Sequence, residues 1–318
     1  LDSVGNEGAA LGKRAMIVTD EGLVEAGYVG RAVRALTTAG LEVTVFSSVH
    51  ENPTTADVRA TVEAAKDAKI DLLIGLGGGS SMDCAKGCNF ILTNGGEMKD
   101  YWGKEKATKP MLPLIAVPTT AGTGSECQSF ALIADEHTHA KMACGDKKAA
   151  ARVALLDPEL TLSQPSNVTA VTAIDAISHA VESYVCKSAN NISRSYALAA
   201  FQLMQDATER ITADPKNLLG RARMQLGAAM AGTAIENSML GAAHSMANPL
   251  TAHFDIIHGQ AVGVALPAVI RRNSQDAEVA ALYRELLSSQ PLDAWITTQV
   301  ANQGLATCLS DLNVSREM

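Results

Sequence analysis

The chain of 318 residues has few aromatic residues (4%) and no excess of basic charge, since 26 Lys and Arg stand against 34 Asp and Glu. Nucleic-acid binding needs a concentrated basic face, so the formal net charge of −8 argues against that partner. No apolar run approaches the roughly 20 residues of a membrane span, and the N-terminus lacks the pattern of a signal peptide. We expect a cytoplasmic protein without a membrane partner that acts on small molecules.

The sequence also lacks the paired CxxC spacing of zinc-binding and redox motifs. Its six cysteines are scattered, so we expect reduced and mostly buried thiols. Leu1 is not an initiator methionine, and we expect the natural chain to begin upstream of it.

The first half alternates β-branched apolar segments with amphipathic ones. The predicted strands are 14–19, 42–46, 71–76, 113–118, 129–134 and 152–157, and the predicted helices are 23–38 and 55–68. Apolar strands without alternation are buried on both faces, which is typical of a parallel sheet between helices. This order predicts a Rossmann-like α/β domain.

The composition changes near residue 165. After "LSQPSN" (162–167), Ala, Leu and Met recur at helical spacing, and β-branched runs become rare. We therefore predict an α/β domain over 1–165 and an all-α domain over 166–318, with Ser166 or Asn167 as the N-cap of the first helix.

The segment "IGLGGGSSMDCAK" (74–86) places consecutive glycines between a buried strand and a helix. Glycines allow close approach of the backbone, and a helix N-terminus favours an anion, so a pyrophosphate would fit here. The run matches neither GxGxxG nor the P-loop. A tight turn without a ligand is the alternative.

A second loop, "VPTTAGTGSE" (117–126), follows another apolar strand and offers hydroxyls and exposed amides that suit ribose and phosphate oxygens. Its alternative is a solvated turn. Asp20, at the end of the first strand, would accept hydrogen bonds from a ribose 2′-hydroxyl and favour NAD over NADP. It would equally stabilise a helix N-terminus.

Asp175 and His179 lie four residues apart in "TAIDAISHAVESY" (172–184) and so project from one helical face. Such a pair alone is more often an ordinary surface or core interaction. The apolar stretch 241–263 adds His244, His253 and His258 and contains no Lys or Arg. Imidazoles with one carboxylate form an N/O site suited to Fe(II) or Zn(II), whereas histidines bonded to backbone carbonyls in a packed interior are the alternative.

These stretches, with others in the same order, resemble the iron-containing (group III) alcohol dehydrogenases, which share the dehydroquinate synthase-like fold. The resemblance extends from about Lys13 to about Asn273. Its motifs are VTDEGL, ENPT, GGGSSMD, PTTAGTGSE, AIDAISHAVE, and AAHSMANPL followed by HG.

The resemblance implies a metal-dependent oxidoreductase that transfers a hydride between NAD and a small alcohol or aldehyde, with Fe(II) or Zn(II) as the metal. It also implies a homodimer or larger assembly. The implied metal ligands are Asp175, His179, His244 and His258. The implied cofactor residues are Asp20, Asn52, Gly78, Gly79, Ser80, Thr119, Thr120, Thr123 and Lys141. No general base is assigned, although His253 is a candidate by its proximity in sequence.

The chain departs from the family pattern at Asn248, where many members carry His, and in the region after Asn273, which is shorter. We expect segments near 288–292 and at both termini to be absent from this numbering.

Two other classes of function remain open. One is a sugar-phosphate or hydroxyacid enzyme of the same fold, such as a dehydroquinate synthase, a glycerol-phosphate dehydrogenase, a maleylacetate reductase or a hydroxyacid-oxoacid transhydrogenase. Such substrates need cationic side chains near the metal, and 240–262 contains none. The other is an inactive nucleotide-binding protein.

Overall fold

A computed structural model describes residues 1–312 and 314. The chain forms two compact units. The α/β unit comprises Leu1–Thr119 and Ser125–Ser163, and the helical unit comprises Thr120–Gly124 and the chain from Gln164 onward.

The α/β unit contains short strands and five helices within the described residues. The strands are β1 (Arg14–Val18), β2 (Glu42–Phe46), β3 (Leu72–Gly77), β4 (Gly103–Lys104), β5 (Leu114–Pro118), β6 (Phe130–Ala134), β7 (Lys141–Gly145) and β8 (Val153–Ala154). The helices are α1 (Val4–Leu11), α2 (Glu21–Glu25), α3 (Tyr28–Thr38), α4 (Thr55–Asp67) and α5 (Gly79–Asn94).

The main sheet is parallel, with the strand order β2-β1-β3-β5-β8. Strands β3 and β5 are buried along their whole length, as their continuous apolar sequences predict. They are neighbours, and Gly77 at the end of β3 lies opposite Pro118 at the end of β5. The two loops singled out in the sequence therefore leave the same edge of the sheet.

Two sequence predictions in this unit need correction. The segment 23–38 is not one helix, because Gly27 adopts a left-handed φ of 81° and separates α2 from α3. The predicted strand 129–134 is present as β6 but lies in a second sheet, β4-β7-β6, where it pairs antiparallel with β7. Only the short segment 135–140 joins these two strands, which is too short for a parallel crossover.

The helical unit consists of α6 (Ser166–Val185), α7 (Asn191–Ala213), α8 (Leu218–Glu236), α9 (Ala242–Phe254), α10 (His258–Asn273), α11 (Ala277–Leu286) and α12 (Leu292–Asn302) in the described part of the chain. Helix α6 is buried from Ala173 to Tyr184 and packs against α7, α8 and α10. Alanines such as Ala176 and Ala180 allow these helices to approach closely, because their side chains are small.

The start of α6 differs from the predicted cap. Pro165 occupies the N-cap position, and its carbonyl accepts a hydrogen bond from the Thr169 amide at 2.9 Å. Ser166 is the first helical residue, so neither Ser166 nor Asn167 caps the helix. Over the residues that the structure describes, none of the helices has the length and apolar character needed to cross a membrane.

Candidate metal centre and nucleotide-binding loops

Helix α6 presents Asp175, His179 and Glu182 on one face, because spacings of four and three residues bring side chains onto the same side of a helix. All three side chains are buried. Buried polar groups need partners, so this face requires polar groups from other elements.

Two further histidines reach this face from other helices. His244 lies in the first turn of α9, and His258 is the first residue of α10. A glycine near each histidine, Gly241 at the N-cap of α9 and Gly259 next to His258, allows the close approach. A Cβ at Gly241 would lie 2.6 Å from the Glu182 carboxylate, and a Cβ at Gly259 would lie 2.7 Å from the carbonyl carbon of Val171.

Three of the predicted metal ligands, all histidines, converge on a carboxylate oxygen of the fourth, Asp175. The Nε2 atoms of His179 and His244 each lie 3.4 Å from Asp175 Oδ1, and His258 Nε2 lies 3.9 Å from it. The rings of His179 and His244 stack with centroids 4.8 Å apart. Asp175, His179 and His244 are buried, whereas the His258 side chain is 32% exposed. The cluster is therefore enclosed on the α6 side and accessible beside His258.

The electrostatics of the cluster follow from its burial and its two carboxylates. Burial raises the pKa of Asp175, but the neighbouring imidazoles outweigh it and hold that pKa below its usual range. Burial lowers the pKa of His179 to about 4 against the attraction of Asp175, so this ring is neutral at pH 7. Burial also disfavours a charged His244, yet the neighbouring carboxylates of Asp175 and Glu182 raise its pKa to about 9.

Within the described residues, several buried polar atoms of this cluster have no hydrogen-bond partner. They are Asp175 Oδ1, His244 Nε2 and His179 Nδ1. Native interiors leave few such atoms unpaired, and an ion is one cause of an exception.

The ligand atoms of Asp175, His244 and His258 lie within 4.8 Å of one another. Two ligands that each bind one ion at about 2.0–2.2 Å are at most roughly 4.4 Å apart, so small side-chain shifts would let these three residues share an ion. His179 is not part of this group of three, although its Nε2 lies 3.4 Å from Asp175 Oδ1. The donors therefore fit a divalent cation with an N/O preference.

In the α/β unit, the glycine segment opens α5. Gly78 is the N-cap and has no side chain to pair with the free amides of the first turn, which begins at Gly79. Ser80 Oγ lies 3.3 Å from the backbone N of Asn52, and the Thr119 amide donates to the Gly77 carbonyl at 2.9 Å. The structure thus brings together predicted cofactor residues from three separate motifs.

The remaining predicted cofactor residues lie in several places. Asp20 is the N-cap of α2 and accepts a hydrogen bond from the Leu23 amide at 3.1 Å, as the structural alternative predicts. Lys141 begins β7 in the smaller sheet and is exposed. Thr120 and Thr123 belong to the helical unit. The cofactor roles of all these residues stay predictions.

Comparison with known proteins decides the family. The model described as "Iron-containing alcohol dehydrogenase" matches residues 1–158, and "Fe-containing alcohol dehydrogenase family, C-terminal" matches residues 169–316. The chain belongs to the iron-containing alcohol dehydrogenase family. It is thus an oxidoreductase of the alcohol dehydrogenase class, and the predicted fold class is confirmed.

Individual relatives agree with this assignment. Alcohol dehydrogenase 4 of Schizosaccharomyces pombe is 38% identical over 83% of this chain and 63% of its own length. The NAD-dependent methanol dehydrogenase of Bacillus methanolicus is 35% identical over 87% of this chain and 74% of its own length. A crystal structure of a 1,3-propanediol oxidoreductase superposes with a TM-score of 0.92 at 34% identity, covering 99% of this chain and 86% of that one.

Two polar groups of this dehydrogenase were not predicted from the sequence. Glu182 lies 2.6 Å from His244 Nδ1, and its signal was its position three residues after His179. Lys86 is completely buried and donates from Nζ to Ser125 Oγ at 2.7 Å, and that hydroxyl donates to Asp83 at 2.6 Å. This network joins α5 to the segment after β5. The feature of the sequence that could have predicted it is the presence of Asp83 and Lys86 in an otherwise apolar part of the glycine motif.

The other candidates named from the sequence lie outside the cluster of four. Asn248 and His253 are both on α9 with exposed side chains. Neither forms an ion pair with Asp175 in the described part of the chain.

Proposed function

We propose that this chain is an NAD-dependent, iron-dependent dehydrogenase that interconverts small, uncharged alcohols and aldehydes. The observation that carries the proposal is the convergence of three imidazole Nε2 atoms on Asp175 Oδ1 in a buried site. Membership of the family supports iron, and NAD is named for the B. methanolicus relative.

In this proposal Asp175, His179, His244 and His258 hold Fe(II), and Zn(II) suits the same donors. A bound cation supplies Lewis acidity, which lowers the pKa of an alcohol or polarises a carbonyl. The buried residues keep water away from one side of the site. The more exposed His258 marks the side on which a substrate oxygen reaches the cluster.

The residues proposed for NAD lie at the N-terminus of α5. The backbone amides that follow Gly78 and Gly79 are free to bind the pyrophosphate, and the positive end of this 16-residue helix favours its charge. Asp20 would select NAD over NADP by repelling a 2′-phosphate.

The charges around the cluster support an uncharged substrate. Among ion pairs of the described residues, Asp175 has histidine partners and no Lys or Arg. Two basic residues of the helical unit have partners other than this cluster. Arg194 donates to the Tyr184 carbonyl, and Arg271 pairs with Asp293.

The test uses protein purified anaerobically and loaded with Fe(II). We expect NADH formation with short primary alcohols and diols, and about one iron per chain. The variant His244→Ala should lose most of the iron, whereas His137→Ala, in the α/β unit, should keep it. A protein that binds no metal, or that forms no NADH with any of these alcohols, would contradict the proposal. A homodimer or larger assembly stays a prediction, which light scattering tests.

A further inference from the structure

Glu182 accepts hydrogen bonds from three backbone amides at the start of α9 and also contacts the His244 ring. Its Oε1 accepts from the Ala243 amide at 2.7 Å. Its Oε2 accepts from the amides of Gly241 at 3.1 Å and His244 at 3.3 Å, and lies 2.6 Å from His244 Nδ1. One buried side chain of α6 therefore both caps α9 and contacts a predicted metal ligand.

These contacts determine the tautomer of His244. A carboxylate that receives several N–H donors acts only as an acceptor, so Nδ1 must carry a hydrogen. The opposite nitrogen, Nε2, is then free of hydrogen when the ring is neutral, and it is the atom that lies 3.4 Å from Asp175 Oδ1. A second hydrogen-bond partner of this kind orients a metal-bound histidine and raises its basicity.

The other two histidines differ from His244. His179 Nδ1 is buried without a hydrogen-bond partner among the described residues, and the His258 side chain is partly exposed. The His244 ring therefore has a hydrogen-bond partner on Nδ1, whereas the His179 ring has none there among the described residues.

We propose that Glu182 is a positioning residue that presents Nε2 of His244 to the metal and ties the metal site to the N-terminus of α9. This inference rests on the proposed metal site. It assigns no direct contact between Glu182 and substrate.

A substitution at Gly241 is a second way to perturb the Glu182 carboxylate. Its φ of −120° is acceptable for any residue, so an added methyl group would cause no backbone strain. That Cβ would, however, lie 2.6 Å from Glu182 Oε1 and 3.0 Å from its Cδ. Gly241→Ala should therefore displace the carboxylate without substituting any of the predicted ligands.

The main test is Glu182→Gln, which keeps the size of the side chain. In either orientation of the new amide, its NH₂ group faces other N–H donors. In one orientation this is the Ala243 amide. In the other these are the amides of Gly241 and His244 together with Nδ1 of the His244 ring. We expect Fe(II) and Zn(II) affinity, measured by competition with a chelator, to fall about 10- to 100-fold. Gly241→Ala should weaken binding in the same direction. The matched control Glu209→Gln, an exposed carboxylate on α7, should bind as the unaltered protein does.

The tautomer is measured separately, by nitrogen NMR of the histidines in the Zn(II)-loaded protein. We expect His244 of the unaltered protein to carry hydrogen on Nδ1 and metal on Nε2, and this measurement needs no variant to fold. Metal on Nδ1 would refute the inference. Circular dichroism of the metal-free variants shows whether helix content is retained.

The outcomes separate the two proposals. If the unaltered protein binds neither metal, the proposed function fails. If it binds metal and a folded Glu182→Gln protein binds it equally well, the metal site stands and the role of Glu182 is refuted.

Discussion

The 120–124 loop, which contains two of the predicted cofactor threonines, packs within the helical unit through a glycine pair. A Cβ at Gly124 would lie 2.7 Å from Gly232 Cα and 2.9 Å from the Ala228 carbonyl oxygen, both on α8. Backbone atoms cannot rotate away as a side-chain end can. We therefore predict that Gly124→Ala destabilises the helical unit.

The magnitude has two parts. Gly124 has a φ of 62°, and an alanine in this left-handed region costs about 1–2 kcal/mol. Overpacking against a rigid neighbour adds about 1–3 kcal/mol. The expected loss of roughly 2–5 kcal/mol is a large part of the about 5–15 kcal/mol by which a typical domain is stable.

The assay is urea unfolding of the metal-free protein followed by circular dichroism. Gly304→Ala is the matched control, because Gly304 belongs to the same unit and has a φ of 71° with no atom within 4 Å of the added Cβ. Gly304→Ala should lose only the about 1–2 kcal/mol that alanine costs in the left-handed region. Gly232→Ala should also destabilise, although alanine is the better helix former by about 1 kcal/mol, since its Cβ would meet the Gly124 carbonyl oxygen.

The packing argument would be refuted if Gly124→Ala lowered the free energy of unfolding by no more than Gly304→Ala does. The loop glycines would then have to be explained by close approach of a ligand, as the sequence first suggested.

Two further predictions concern buried titratable groups of the α/β unit. Burial raises the pKa of Glu126 from 4.5 to about 7, so the folded protein favours the protonated carboxyl. The free energy of unfolding is therefore highest below pH 4.5 and falls as the pH rises through 7. Glu126→Gln should therefore be more stable than the unaltered protein by about 3 kcal/mol at pH 8 and close to it at pH 4.5, as urea unfolding at both pH values would show. Equal differences at both would contradict this. Burial raises the pKa of the Cys84 and Cys144 thiols to about 12, whereas Cys308 is exposed, so iodoacetamide should label Cys308 first in peptide mass spectra of the folded protein. Labelling of Cys84 at the rate of Cys308 would contradict it.

Local patterns in the sequence were enough to predict the parallel sheet and the position of the glycine motif. Strands β3 and β5 are continuous apolar runs, and such runs are stable only when both faces are covered. The pairing of Asp175 with His179 was also local, because four residues make about one helical turn.

Other features of the fold were not predicted from these patterns. The break at Gly27 reflects one left-handed residue, which the amphipathic pattern around it did not reveal. The strand β6 was recognised, but its place in a second sheet depended on pairing with β7 after a short turn. The hydroxyls and amides of the 117–126 loop predicted contacts with ribose and phosphate oxygens, and the sequence did not reveal that Gly122 and Gly124 pack against α6 and α8.

The sequence by itself determined which residue types were available for a metal site and, through several motifs in one order, the family. Only the tertiary structure decided that Nε2 atoms from α6, α9 and α10 meet at one carboxylate oxygen. It also placed the Glu182 carboxylate 2.6 Å from Nδ1 of His244. The physical reason is that periodicity places a side chain on a helical face, whereas the packing of small residues such as Gly241 and Gly259 sets how closely two faces approach.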